Sequence, residues 1–287
     1  MAGKHGQKQA AAAAKAPMAL WQKLVFVVAL VVFVVSALML GKYFFERWQG
    51  QQDYAALQAG VLSPEATDPA MDALRSGDLS GMANEEGRVF IQQDKMAALK
   101  AQYPDFAGWI VIPDTHVNYP IMHHGDNEYY LTHTYEGKAN SCGAIFMEAV
   151  NLPDFTDTNT TLHGHNMRNG TMFHDLLQYR KQAFLDAHPY VYVILPTGEL
   201  LQYAVFSAYV TEADADYRSI GFGSAAEETA YWSTLKGRST EVTNDVMPVA
   251  GDQVLTLSTC AYDFDDARYA VHAVLLDYSR AAGGIEE

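Results

Sequence analysis

Three stretches of the chain carry side chains suited to covalent chemistry. Thr161-Leu-His-Gly-His-Asn-Met167 alternates two histidines along an extended segment. Thr256-Leu-Ser-Thr-Cys260 is an apolar run that ends on a thiol, and Arg268 follows eight residues later at the start of another apolar run. A cysteine at a strand end faces a cleft while the strand body stays in the core. Its thiolate is the nucleophile, and a neighbouring imidazole or guanidinium favours that ionised form. An arginine on the adjoining strand brings a planar fork of donors, which fits a peptide carbonyl or the oxyanion that develops when the thiolate attacks it.

Each stretch also has a plainer reading. A buried free cysteine is usually inert, and outside the cell Cys142 and Cys260 are a possible disulfide pair. Two histidines alternating on a strand project to one face, which suits a metal. No third histidine or carboxylate stands at matching spacing, so no metal and no cofactor is expected. Arg268 taken alone is a surface charge. His116, His123, His124, His133, His174, His188 and His272 have no special context and read as surface or internally satisfied histidines. No glycine-rich phosphate loop is present, and Gly221-Phe-Gly223 reads as a turn.

The elements that must position these residues are mostly short strands. Trp109–Ile112, Val191–Leu195, Leu200–Val210, Gln253–Ser258 and Tyr269–Leu276 are β-branched and aromatic runs bounded by turn residues. Helices are expected at Gln92–Gln102, stopped by Pro104, at Met172–Tyr179, and at Ser224–Lys236. The last of these opens with Ser224 and Glu227 in capping-box register and ends at Gly237. The pattern predicts a mainly β domain with peripheral helices, a mostly antiparallel barrel or sandwich.

Charge and hydropathy organise the rest. The chain has 287 residues and a net charge of −15, but the first 23 residues carry four lysines and no acid. The remaining body is strongly acidic and offers no counterion release to a phosphate backbone, which excludes nucleic acid as an expected partner. Leu24 to Leu40 is an uncharged apolar run, with Trp21 at one end and Tyr43, Phe44, Phe45 and Trp48 at the other. That length and aromatic flanking describe a membrane span, and lysines ahead of it place the N-terminus in the cytoplasm. Bulky residues follow where a cleaved signal peptide would carry small ones. The expected layout is a cytoplasmic tail over 1–18, an anchor over 19–41, an extracellular stalk helix and spacer over 42–87, and a catalytic domain over 88–287. Residues 62–87 are rich in Pro, Gly, Asp and Ser, the texture of a spacer.

The Thr256–Cys260 segment, the Gly164-His-Asn-Met167 segment before it and Arg268 after it resemble sortases, the membrane-anchored cysteine transpeptidases of Gram-positive bacteria. The resemblance extends from about Gln92 to Leu276. Asp105–Pro113 and Asn118–Ile121 are similar to the opening strands of class B sortases, Asp126–Leu131 and Gly143–Met147 to their following helix and strand, and Ser224–Lys236 to the helix that distinguishes class B. It implies a closed sortase-type β-barrel in which Cys260 is the nucleophile, His165 the general acid/base and Arg268 the clamp. His165 is preferred to His163 because it occupies the histidine of the Gly-His segment. It further implies that Asn127, Leu131, Ser258 and Thr259 bind substrate. Cys142 departs from the small or polar residue usual before Gly-x-Ile-Phe. The implied partners are secreted proteins with a C-terminal sorting motif, and an amine of peptidoglycan or a pilin lysine as acceptor. Two other readings stay open at this point. One is a Cys–His peptidase, although papain-like enzymes place Cys well before His; the other is a non-catalytic wall-binding domain.

Overall fold

The computed structural model describes residues 19–62 and 69–276; the expected tail over 1–18 lies outside the described residues. The chain separates into two units, one up to Phe45 and one from Glu46 onward. The first is the apolar part of helix α1 (Leu20–Val61), whose side chains are exposed from Leu20 to Phe45. It is the one helix among the described residues long and apolar enough to cross a membrane.

The second unit is a closed barrel. Its strands are β1 (Phe106–Val111), β2 (Asn118–His123), β3 (Ile145–Met147), β4 (Asn159–His163), β5 (Tyr190–Ile194), β6 (Leu200–Glu212), β7 (Val254–Cys260) and β8 (Ala267–Leu275). They close in the order β1-β2-β3-β4-β7-β8-β6-β5, and closure leaves no edge free to pair with another chain. Six of the eight pairings are antiparallel, while β2 with β3 and β4 with β7 are parallel. The barrel of the expected pair of architectures is therefore the one formed. Strand β1 is buried at every position and β7 at every position but its last. Such continuous burial needs cover on the outer face as well as packing inside.

Helices supply that cover. α5 (Ala225–Arg238) lays Trp232 and Leu235 against Phe206, Tyr209 and Ala270 of the sheet. Its cap forms as expected on one side, where Ser224 Oγ accepts from Glu227 N, but Glu227 reaches back to Gly223 N rather than to Ser224. α3 (Gln93–Gln102) falls where a helix ahead of Pro104 was expected. One expectation is refined, one is corrected and one element was not foreseen. Residues 62–87, expected as a spacer, are docked on the domain in their described part. There α2 (Pro69–Ser76) buries Met71 and Leu74, Leu79 is buried, and Tyr192 Oη donates to Leu74 O. A few apolar anchors are enough to dock a segment whose composition is otherwise that of turns. Residues 172–179 are not an α-helix, because Met172 takes a left-handed backbone and the turns from His174 to Arg180 are 3₁₀. The short α4 (Gln182–Ala187) was not expected, since one turn and a half gives almost no periodic signal.

Candidate active site

Parallel pairing of β4 with β7 brings the two reactive segments to the same end of the barrel. His163 lies opposite Ser258 in register. The pairing continues past the strand end, where Gly164 N donates to Ser258 O at 3.2 Å and Thr259 Oγ1 donates to Gly164 O at 2.8 Å. A Cβ at Gly164 would overlap Ile145 and the Phe173 ring, so the residue before His165 has to be glycine. Asn166 adds a further tie by donating from Nδ2 to Cys260 O at 2.9 Å, with its Oδ1 on His174 Nδ1 at 2.8 Å.

On the other side of β7, antiparallel pairing sets Arg268 directly across from Cys260. Cys260, His165 and Arg268 are half-buried and line one cleft of about 290 Å³, together with Asn127, Leu131, Ser258 and Thr259. All seven residues singled out in the sequence are thus gathered in one place. A larger groove of about 480 Å³ runs past Leu200, Gln253 and Leu275, at the opposite ends of these strands, but its lining has neither thiol nor imidazole.

The His165 ring is held by its Nε2, 2.7 Å from Leu131 O. A carbonyl oxygen only accepts, so Nε2 carries the proton and Nδ1 is the nitrogen left to gain or lose one. Leu131 therefore contributes a backbone carbonyl as well as an exposed side chain. Arg268 Nη1 donates to the carbonyls of Asp266 and Ala267 at 3.2 and 3.1 Å, which turns one prong of its fork back onto the start of β8. The hydroxyls of the two smaller residues are occupied within the protein. Ser258 Oγ is 3.0 Å from Tyr217 Oη and Thr259 braces Gly164, so both shape the cleft wall. Asn127 accepts from Ala149 N at 2.7 Å and its Nδ2 is 3.4 Å from Glu148 Oε1.

A polar cluster adjoins the cleft, and the sequence singled out only its histidine. Arg218 Nη1 donates to both oxygens of Glu148 at 2.8 and 2.9 Å, and His163 Nε2 lies 3.1 Å from Glu148 Oε2. Burial alone would raise the Glu148 pKa, but His163 and Arg218 hold the carboxyl below its usual range. The three residues come from separate elements, with Arg218 70 positions from Glu148, so no local motif joins them. His163 and His165 consequently serve different partners. Among the described residues no three His, Cys, Asp or Glu side chains group as metal ligands.

The disulfide considered above is not formed. Both cysteines are free. Cys142 is buried beside Gly50 of α1, and burial pushes its thiol up to about 11.

Comparison with known proteins bears on the whole domain. The family profile described as a sortase domain matches residues 110–276. Sortase B of Listeria monocytogenes is 31% identical over 248 residues, spanning 84% of this chain and 95% of that protein. Among solved structures, a Staphylococcus aureus sortase B–substrate complex superposes with a TM-score of 0.65 at 27% identity, covering 81% of this chain and 99% of that one. Sortase B from Bacillus anthracis gives a TM-score of 0.63 at 28% identity, covering 82% and 99%.

Proposed function

Because this chain belongs to the sortase family of transpeptidases, class B, we propose that Cys260 and His165 cut a C-terminal sorting motif after threonine and pass the protein to an amine of peptidoglycan. The observation that carries the reading is the meeting of Cys260, His165 and Arg268 on one half-open cleft.

In the first half-reaction the Cys260 thiolate adds to the carbonyl carbon that follows the threonine side chain. The oxyanion of the tetrahedral intermediate takes donors from Arg268 and a backbone N–H, which act where charge develops and water is partly excluded. His165, as imidazolium, gives its Nδ1 proton to the departing nitrogen. The C–N bond breaks, the C-terminal fragment leaves as an amine, and a thioester to Cys260 remains. In the second half-reaction an acceptor amine adds to the thioester, His165 takes its proton, and the thiolate is expelled. One amide replaces another, so the exchange needs no ATP. A pilin lysine in place of the wall amine would follow the same chemistry.

The helix up to Phe45 is proposed to anchor the chain in the cell membrane, N-terminus inside and barrel outside. Substrate and acceptor would then both lie near the surface, and tethering raises the enzyme's effective concentration there. The test is a fluorogenic sorting-peptide library with an added amine. The reading expects transpeptidation product and a thioester trapped on Cys260. Hydrolysis alone, unaffected by amine, favours a peptidase, and no turnover of any sorting peptide refutes the assignment.

A further inference from the structure

We propose that Tyr54 of α1 is a positioning residue for His165, acting through Gly143. The proposal rests on the reading of His165 as the acid/base.

Glu46, Gly50 and Tyr54 recur every four residues and so share one helical face. That face closes on the turn Asn140–Gly143. Asn140 Nδ2 donates to Glu46 O at 2.6 Å. At Gly50 the helix backbone comes so near that a Cβ would stand 2.7 Å from Asn140 Nδ2 and 3.1 Å from Cys142 Sγ. Tyr54 Oη donates to Gly143 O at 2.8 Å and accepts from Tyr135 N at 3.3 Å. The Tyr54 ring is 4% exposed and packs against Tyr119 and Tyr135 at 5.5 and 5.2 Å. Its hydroxyl therefore has little freedom.

Gly143 is the floor of the histidine site. It takes a left-handed backbone at φ +59°, and a Cβ there would lie 2.5 Å from Tyr130 O, 3.0 Å from Leu131 O and 3.1 Å from His165 Cδ2. The space beside the Gly143 α-carbon, where a side chain would start, is thus closed by both the histidine ring and the carbonyl that fixes that ring's Nε2. Ala144 N, the next donor along, binds Tyr130 O at 2.9 Å and locks the carbonyl pair to the same turn. A shift of Gly143 moves Leu131 O and His165 together. The Tyr54 hydroxyl holds the Gly143 carbonyl from behind, beside the turn's own bond from Gly143 N to Asn140 O at 3.1 Å.

The experiment uses the full chain in detergent and follows sorting-peptide turnover against pH. Tyr54→Phe removes only the hydroxyl. It is expected to lower kcat about tenfold with KM within about twofold, and to displace the pH–rate profile, because a sub-ångström misplacement of an acid/base costs rate rather than binding. Gly143→Ala is expected to lose about 100-fold on the same grounds. Gln58→Ala is the control. It removes a bond of similar strength from the same helix, Gln58 Nε2 to Asn118 O at 2.7 Å, and is expected to cost stability with kcat and pH profile unchanged. A Tyr54→Phe profile that superimposes on the parent overturns the proposal, and so does an equal kcat loss in Gln58→Ala. A second readout needs no sorting peptide. The pH dependence of Cys260 alkylation, measured on the Cys260-containing fragment by mass spectrometry, should change in Tyr54→Phe and not in Gln58→Ala. If the parent cleaves no sorting peptide, the functional reading fails while alkylation still judges the positioning role.

Discussion

Two rungs of the same strand pair set a thiol or hydroxyl against a basic side chain, and only one of them opens onto the cleft. Thr256 faces His272 and, four residues on, Cys260 faces Arg268. At the inner rung Thr256 Oγ1 is 2.8 Å from His272 Nδ1, a distance that would suit a nucleophile and its base. Yet Thr256 donates to Asn159 Oδ1 at 2.7 Å, His272 Nε2 lies on Tyr209 Oη at 3.0 Å, and both residues have no exposed surface. Burial drives the imidazole down to about 3, with the Arg238 charge adding to it. It is no base of use near neutrality. At the outer rung the residues are half-exposed and a second strand delivers His165. Proximity is common to both; access to the cleft belongs to the outer rung alone.

The largest effect that tests this contrast is Cys260→Ala, expected to lower turnover by on the order of 10⁴-fold or more, because no other group can form the thioester. Peptide kinetics on the purified chain check it, and a variant with most of its activity would erase the distinction between the rungs. Next is Arg268→Lys. It keeps the charge but loses the planar fork, and a drop of about 10²-fold in kcat is expected, as for removal of one oxyanion donor.

The third concerns pH and belongs to the inner rung. An unfolded histidine titrates near pH 6.5, roughly, whereas folded His272 titrates at about 3. Between those values the unfolded chain binds a proton that the folded chain refuses. The stability contributed by neutral His272 is therefore complete above about pH 6.5 and declines as pH falls toward about 3, at about 1.4 kcal/mol per pH unit. Thermal melts from pH 7.5 to 4.5 should show this decline, and His272→Gln should flatten it. An equal slope in that variant would assign the acid sensitivity elsewhere. Smallest in activity is Thr256→Val, expected to leave kcat within about twofold while costing about 1–3 kcal/mol of stability through the unmet partners Asn159 and His272. A large loss of turnover there would make the inner rung part of the reaction.

Much of this arrangement was legible in the residues. Strand identity, the thiol at a strand end and the helix cap at Ser224 all follow from local pattern. The positions of Cys260, His165 and Arg268 came from the family resemblance carried by their motifs. What was not legible depends on long-range packing. Glu148 and Arg218 are unremarkable as residues and gain meaning only when distant loops meet. The helix face of Glu46, Gly50 and Tyr54 reads as a stalk, because its polar and small residues do not announce burial. Residues 69–87 looked like a spacer for the complementary reason: their apolar anchors are few and their turn residues many.

The parallel seating of β4 beside β7 has one further consequence, for how the enzyme comes into being. Asn166 and Cys260 touch across 94 positions of chain, and the intervening β5 and β6, with α5, must be laid down between them. Contacts so remote in sequence are costly to close and form late on the way to the native state. A chain emerging from synthesis thus carries an unassembled cleft, and Cys260 meets His165 and Arg268 only when the last strands zip into place.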